Sequence, residues 1–396
     1  MCHAPRRRGD HVRLVLRRDQ GSASGDPRAR ARRRRVSGRV RIVLSQHPRP
    51  ERACDLASRA RLKVLVLTTS YPRSADDPAG RFVASTVDAA RSAGFGVAVV
   101  APASFRHFGI AYGHGIIGNL KARPWLALLL PAFLWNFRRA ALRHDCDLVH
   151  AHWLIAGVVA ATLGKPYVVQ VWGTDVELAR RAPFLVRWVM RRARATLAAS
   201  EFLARESRSL GARVVRIVPA AVAIPTSVRE PDEPPHVLYA GRLSPEKGIE
   251  DFLAATEGVP RVIVGAGPIR VPEGVGAIAP SAIGAFYERA AVVCVPSRRE
   301  GYGMVAREAM AYGRPVVATR VGGLVDAVDD GVTGLVVDRS DLRPAVERLL
   351  ADSELRAKLG AAGQEKARRE WDFARTAASL EAVYTGAADE SGRDHG

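Results

Sequence analysis

The feature that most constrains this chain is an alternation, run through twice, of short uninterrupted apolar segments and helical patterns. The first segment, Val64-Leu65-Val66-Leu67, ends in Thr-Thr-Ser; a loop rich in Pro and Gly follows, then a helix-like stretch from Phe82 to Ala93. Val97 to Ala101, Leu148 to His150, Tyr167 to Val171 and Ala195 to Ala199 extend the series. Pro225, Pro231, Pro234 and Pro235, interspersed with charge, then mark a linker. The second series is Val237 to Ala240, Arg261 to Val264, Val292 to Val295, Val316 to Ala318 and Leu335 to Val337. Helices are expected over Leu342 to Ala351, Ser353 to Ala367 and Phe373 to Tyr384. Strands that are apolar on both faces and separated by helices require a parallel sheet covered on both sides.

The sequence therefore predicts an α/β chain of two facing Rossmann-like domains, each with a parallel sheet. Their expected extents are 62–230 and 231–372, with 373–396 a C-terminal helix packing back towards the first domain, and a tail. In such folds ligands bind beyond the carboxyl ends of the strands, so chemistry is expected in the cleft between domains.

Charge separates the remaining segment. Residues 1–61 hold eighteen arginines against five acids and so contribute +13 of the chain's formal +20, leaving +7 for the rest. With no sustained period and no aromatic residue interleaved among its arginines, this stretch is expected to be a disordered or mis-assigned leader rather than a nucleic-acid arm. No methionine lies between Met1 and Met190, which fits a later, alternative start. Cys2, Cys54, Cys146 and Cys294 form no CxxC pair, arguing against a disulfide framework or structural zinc. No apolar stretch approaches the ~18 residues of a membrane span, and no secretory signal is recognisable. A cytoplasmic protein is expected.

The sharpest segment is Pro296-Ser297-Arg298-Arg299-Glu300-Gly301-Tyr302-Gly303-Met304-Val305-Ala306-Arg307-Glu308. It follows a strand, so Glu300 falls on the loop at the ligand edge. Gly301 and Gly303 let the backbone approach a ligand, and the helix opening near Gly303 offers unpaired N–H groups to an anion. Glu308, about one and a half turns into that helix, can accept hydrogen bonds from a vicinal diol on the same ligand. Taken singly, Glu308 could equally be a solvated helix residue and Glu300 a loop charge beside Arg298 and Arg299. A second group, Gly241-Arg242-Leu243-Ser244-Pro245-Glu246-Lys247-Gly248, places two cations five residues apart at a strand end, a spacing suited to clamping a diphosphate. The alternative is an exposed turn in which Lys247 pairs loosely with Glu246 or Glu250.

From Leu62 to about Tyr384 the chain resembles the retaining glycosyltransferases of family 4, of the GT-B fold. PSRREGYGMVAREAMAYGRPVVAT carries the resemblance, supported by GRLSPEKGIEDF, VGAGP, VGGLVDAVDDGVTGLVV, SYPRSADDPAGRFV, HAHW and WGTDV. The resemblance implies transfer of a sugar from a nucleotide diphosphate with retention of configuration, as in polysaccharide biosynthesis, without metal or other cofactor. The acceptor would be a polysaccharide, a lipid-linked carbohydrate or a small molecule. By similarity Arg242 and Lys247 bind the diphosphate, Glu300 the donor sugar and Glu308 the ribose. Backbone amides of Gly301, Tyr302, Gly303, Met304 and Val305 meet the sugar or β-phosphate. Gly80 and His152 line the acceptor side, where Asp175 gains weight because Trp172 stands where many members have histidine. Asp326 stands where the family usually has Glu in Gly-Gly-x-x-Glu. Alternatives are a nucleotide-sugar epimerase or phosphorylase of the same fold, or a noncatalytic binding protein whose leader contacts nucleic acid; no nucleic-acid partner is expected.

Three other patterns are weaker. Asp145-Cys146-Asp147 spells a metal-binding DxD but precedes a strand, at its amino end, where capping or surface charge is expected. Gly265-Ala266-Gly267 lacks the third glycine of a dinucleotide site. Residues 121–143, with Trp125, Trp135, Phe133 and Phe137 flanked by cations, are expected to be a buried helix broken at Pro131, or else a peripheral contact with an anionic membrane.

Overall fold

The computed structural model describes residues 62–113, 115–173, 175 and 182–393. The leader, residues 1–61, lies outside the described residues. Strand β1 (Lys63–Leu67) has four successive residues buried, as a central parallel strand must, and it pairs with β2 (Gly96–Val100) on one side and β3 (Leu148–His152) on the other. With β4 (Tyr167–Val171), β5 (Ala195–Ala198) and β6 (Val215–Ile217) they form a six-stranded parallel sheet in the order β2-β1-β3-β4-β5-β6. Sequence patterning did not anticipate β6. Its residues are half-buried or exposed, so the edge strand lacks the apolar run that marked the others.

Helices α1 (Arg81–Ser92), α2 (Gly115–Ala122), α3 (Leu130–Ala141), α4 (Leu154–Ala160), α5 (Pro183–Arg192) and α6 (Glu201–Ser209) cover this sheet. Pro131 does not break a helix. It stands in the first turn of α3, where its missing N–H has no intrahelical partner to lose, after a 3-10 turn over Pro124–Leu129. The aromatic residues of this segment divide: Phe133 and Phe137 are fully buried, whereas Trp125 and Trp135 are exposed.

The second sheet has the order β11-β10-β9-β7-β8, built from β7 (Val237–Ala240), β8 (Arg261–Val264), β9 (Val292–Val295), β10 (Val316–Thr319) and β11 (Gly334–Val337), again all parallel. Helix α7 (Ile249–Ala255) follows β7; between β8 and β9 the chain spends its few residues on an isolated bridge, Val264 to Gly276, and on α8 (Ile283–Arg289). Then come α9 (Met304–Ala311), α10 (Gly323–Ala327), α11 (Leu342–Ala351) and α12 (Ser353–Glu370).

The last helix, α13 (Phe373–Arg393), leaves the second sheet and enters the core of the first. Leu380, Val383, Tyr384 and Ala387 pack with Val64, Val66, Val83 and Val87. Since apolar burial is worth about 1.5–3 kcal/mol per large side chain, this seam ties the chain's end firmly to the first sheet. Asp145 pairs with the Lys63 ammonium at 2.8 Å and Asp147 accepts the Lys63 amide, so the DxD residues hold the amino ends of β1 and β3 together, far from the strands' carboxyl ends.

Candidate active site between the two sheets

In the second domain the loops after β7, β9 and β10 meet. Gly248, at φ 70°, opens α7 with its Cα against the Pro296 carbonyl: an added Cβ would stand 1.9 Å from that oxygen. This close approach, open only to glycine, brings the loop after β7 onto the loop after β9. Its consequence is an ion pair that local spacing did not suggest: Lys247 Nζ donates to Glu300 Oε2 at 2.6 Å, and the Ser297 hydroxyl reaches the same oxygen at 3.4 Å. Glu246 and Glu250, the expected loose partners of Lys247, are engaged by Arg299 and Arg298. Arg298 and Arg339 also share Asp251, whose carboxyl they hold below the usual range against its burial. Arg242 is exposed, with no ion-pair partner for its guanidinium among the described residues.

Gly303, at φ 81°, opens α9 and leaves the amides of Met304 and Val305 without intrahelical acceptors. Glu308 lies beneath: it accepts a 2.7 Å hydrogen bond from the Tyr287 hydroxyl, and burial raises its carboxyl above the ordinary range although that bond acts to lower it. Tyr302 is 4% exposed: its ring joins the apolar core of the first domain, edge-on to Trp172, and its hydroxyl donates to the Ala220 carbonyl at 2.8 Å. Its backbone, rather than its hydroxyl, is what the loop offers a ligand. Arg307 was not singled out by the sequence, yet it is buried under this loop. Its guanidinium carbon lies 3.9 Å from the centre of the Tyr302 ring and 4.8 Å from that of Trp371, and it donates to the Tyr302 carbonyl. Loss of hydration lowers its pKa, and the two ring faces offset part of that cost.

The first domain meets this loop through backbone as well. The Ser200 hydroxyl donates to the Gly301 carbonyl at 2.9 Å, and Gly301 sits so close to Trp172-Gly173 that an added Cβ would stand 2.6 Å from the Trp172 carbonyl. Asp326, one methylene shorter than the family's glutamate, accepts the Phe202 amide at 2.5 Å and so caps α6 across the cleft. Gly80 opens α1 at φ 65°, its Cα against the Ser70 carbonyl, which folds the loop after β1 over the helix start. Asp77 braces that loop through Arg73 Nε at 2.6 Å and the Ala79 amide at 3.0 Å.

His152 does not open onto solvent. It is fully buried, stacked 4.2 Å from His150 and 5.9 Å from Trp172, and accepts from the indole N–H of Trp172 at 3.2 Å. His150 in turn meets the Tyr384 hydroxyl at 2.6 Å. The alternation along β3 places both rings on one side, as their spacing predicts. Asp175 is also buried; its two oxygens accept the amides of Leu154 and Trp172, at 2.8 and 2.7 Å, and burial pushes its pKa up to about 6. It thus joins the start of α4 to the turn that touches Gly301. Between them Trp153 has φ 66°, a strained value for a bulky residue, at the carboxyl end of β3.

Burial pushes His150 down to about 3 and His152 well below 6.5, so both rings are neutral at physiological pH. The stability this provides is complete above the ordinary histidine pKa of 6.5 and is lost as pH falls towards 3. Asp175 works in the opposite sense between 3.8 and about 6, where its folded form binds the extra proton. Thermal unfolding should therefore show a melting temperature that declines below pH 6.5. Substituting His150→Gln should flatten that decline, whatever it does to stability at pH 7.5.

Two family models cover most of this architecture: one described as Glycosyltransferase Family 4 matches residues 79–224, and one described as Glycosyl transferases group 1 matches 234–352. The D-inositol 3-phosphate glycosyltransferase of Acidothermus cellulolyticus is 30% identical over 352 residues, spanning 71% of this chain and 78% of that protein. The chain belongs to this glycosyltransferase family. Its fold is GT-B. Likeness to the D-inositol 3-phosphate glycosyltransferase of Corynebacterium diphtheriae is higher, 46%, but over 112 residues only, 28% of this chain and 26% of that relative. The chain thus matches about a quarter of that relative's length. Among solved structures, sucrose-phosphate synthase from Thermosynechococcus elongatus superposes with a TM-score of 0.70 at 22% identity, over 82% of this chain and 99% of that one. HepE of Anabaena, solved with UDP-glucose, gives 0.62 at 18%, over 82% of this chain and all of that one. At these identities the shared property is the fold.

Proposed function

We propose that this glycosyltransferase moves a sugar from a nucleotide-diphosphate donor to a hydroxyl acceptor with retention of anomeric configuration, using fixed protein cations in place of a metal. The observation that carries the reading is the Lys247–Glu300 pair at the mouth of α9, with an exposed Arg242, without an ion-pair partner among the described residues, on the same loop after β7. The diphosphate accepts from Arg242, Lys247 and the first amides of α9, and the donor sugar's hydroxyls face Glu300. In the transfer step the bond from C1 to the diphosphate oxygen breaks and its electron pair stays on that oxygen. The acceptor oxygen bonds C1 on the same face, and its proton passes to the departing phosphate. Preorganised positive charge at the oxygen where negative charge develops is worth most in a site closed from water.

Glu308 fits the ribose. Its Tyr287 hydrogen bond fixes one oxygen and leaves the other able to accept from a diol. Glu308→Ala should raise the donor KM about tenfold or more with a smaller change in kcat, since two hydroxyl contacts are lost in ground and transition states alike. The test of the function as a whole is release of nucleoside diphosphate from a screened set of nucleotide sugars, with product configuration read by NMR. Release that persists in EDTA and disappears with Lys247→Ala supports the reading; an inverted product, or equal release in both chains, sinks it.

A further inference from the structure

The first domain carries an apolar cavity of about 400 Å³ that the transfer site does not use, walled by α2, α3, α4 and α5 through residues including Ile116, Leu120, Leu134, Val158, Leu185 and Val189. On the 3-10 turn and α3, Trp125, Leu128 and Trp135 are 58%, 84% and 63% exposed; on α5, Phe184 and Trp188 are 84% and 38% exposed. The two elements lie some fifty residues apart in sequence and reach the same cavity, through Leu130 and Leu134 from one and Leu185 and Val186 from the other. A single exposed tryptophan needs no explanation; five large exposed apolar groups on the segments that wall or adjoin one apolar cavity do.

Charge identifies what covers them. Between Asp88 and Asp145 the sequence contains no acidic residue, and none occurs between Glu177 and Glu201. Both regions therefore present cations alone: Lys121 at the end of α2, Arg123 before the 3-10 turn and Arg139 on α3, and Arg187, Arg191 and Arg192 on α5, all exposed. Protruding aromatic and aliphatic side chains within an all-cationic rim match the headgroup and acyl layers of an anionic bilayer, whereas a protein partner of mixed charge would leave this one-signed rim unanswered. Among the described residues no helix is long and apolar enough to cross a membrane, so attachment would be shallow.

We propose that this face docks on an anionic phospholipid bilayer and that an acyl chain enters the cavity between α2, α3, α4 and α5. Leu154 and Ile155, which line the cavity, begin α4, and the Leu154 amide is held by the same Asp175 that holds the Trp172 amide against the Gly301 loop. Through Leu154 and Asp175 the cavity is thus linked to the turn that touches Gly301. Given the transfer activity proposed above, a lipid-linked acceptor is the class this arrangement favours, but the docking itself does not depend on donor chemistry.

The test uses the full chain with vesicles of phosphatidylcholine containing phosphatidylglycerol that bears a diazirine on its acyl chain, followed by irradiation and peptide mapping. Labelling should concentrate in residues 115–134 and 183–192, vanish in 1 M salt or when the photolipid is a phosphatidylcholine, and fall roughly tenfold in the Leu128→Ser/Phe184→Ser double variant, whose changes are at exposed positions. Lys247→Ala should label like the parent chain, which separates failure of docking from failure of the transfer reading. Labelling confined to residues 1–61, labelling indifferent to the double variant, or no labelling at all would overturn the proposal. So would a self-association in lipid-free solution that the double variant abolishes, which would give the face to a second copy of the chain.

Discussion

Lys247→Ala is expected to lower kcat by about 10²–10³-fold while the donor KM moves by only a few-fold, a loss of ~3–4 kcal/mol of transition-state stabilisation. The asymmetry follows from when the charge is needed. On the proposed reading, the diphosphate in the ground state already carries its charge, shared with Arg242 and the amides of α9. As the C1–O bond breaks, further charge gathers on the leaving oxygen, and a fixed ammonium there gains value that only the transition state feels. Steady-state kinetics of Lys247→Ala, Glu300→Gln and the double variant decide between this and a scaffolding role. Because Lys247 Nζ and Glu300 Oε2 are 2.6 Å apart, the two changes should be strongly non-additive. A Lys247→Ala kcat within twofold of the parent, with a raised KM, would make the lysine a positioning residue for Glu300 and remove it from the chemistry.

The parts of this site that were legible in the sequence are those fixed by short-range geometry. Glu300, Gly303 and Glu308 lie on one strand–loop–helix unit, so their spacing alone sets which end of the helix each occupies, and α9 begins at Met304 as expected. The double series of apolar runs likewise determined two parallel sheets, because a strand buried on both faces has few other homes. Contacts across the chain were not legible. Lys247 has acidic neighbours at positions 246 and 250, and nothing local says that it will reach past them to Glu300, 53 residues on. That outcome depends on Gly248 packing on the Pro296 carbonyl. The family resemblance alone puts His152 on the acceptor side of the cleft. It is enclosed because Trp172 covers one side and His150 the other, and His150 is capped by Tyr384 from a helix 234 residues away. In α5 the apolar residues fall on two faces: Val186, Val189 and Met190 go inward while Phe184 and Trp188 face out, a division that composition alone conceals.

The second large effect is expected at Gly301, and it separates closure of the cleft from stability. A methyl group on Gly301 would stand 2.6 Å from the Trp172 carbonyl and 2.8 Å from the Cα of Gly173, both backbone atoms of the opposite domain that cannot rotate aside. The two domains would have to part by up to about an ångström, and a displacement of that size between reacting groups can cost 10²-fold in rate. The C-terminal helix keeps its seam with the first sheet, and Arg242, Lys247, Glu300 and Glu308 all remain on one domain, while the neighbouring Tyr302 stays anchored in the first domain's core. Gly301→Ala should therefore lower kcat by about 10²-fold or more, leave nucleoside diphosphate affinity within about threefold, and move the melting temperature by only a few degrees. Calorimetric binding of the diphosphate alongside turnover measures both halves of this claim. Equal losses of binding and turnover would mean that the glycine serves the donor pocket directly. Unchanged turnover would mean that the contact between Trp172-Gly173 and Gly301 is not part of the reactive arrangement, and that transfer proceeds from a more open cleft than the one seen here.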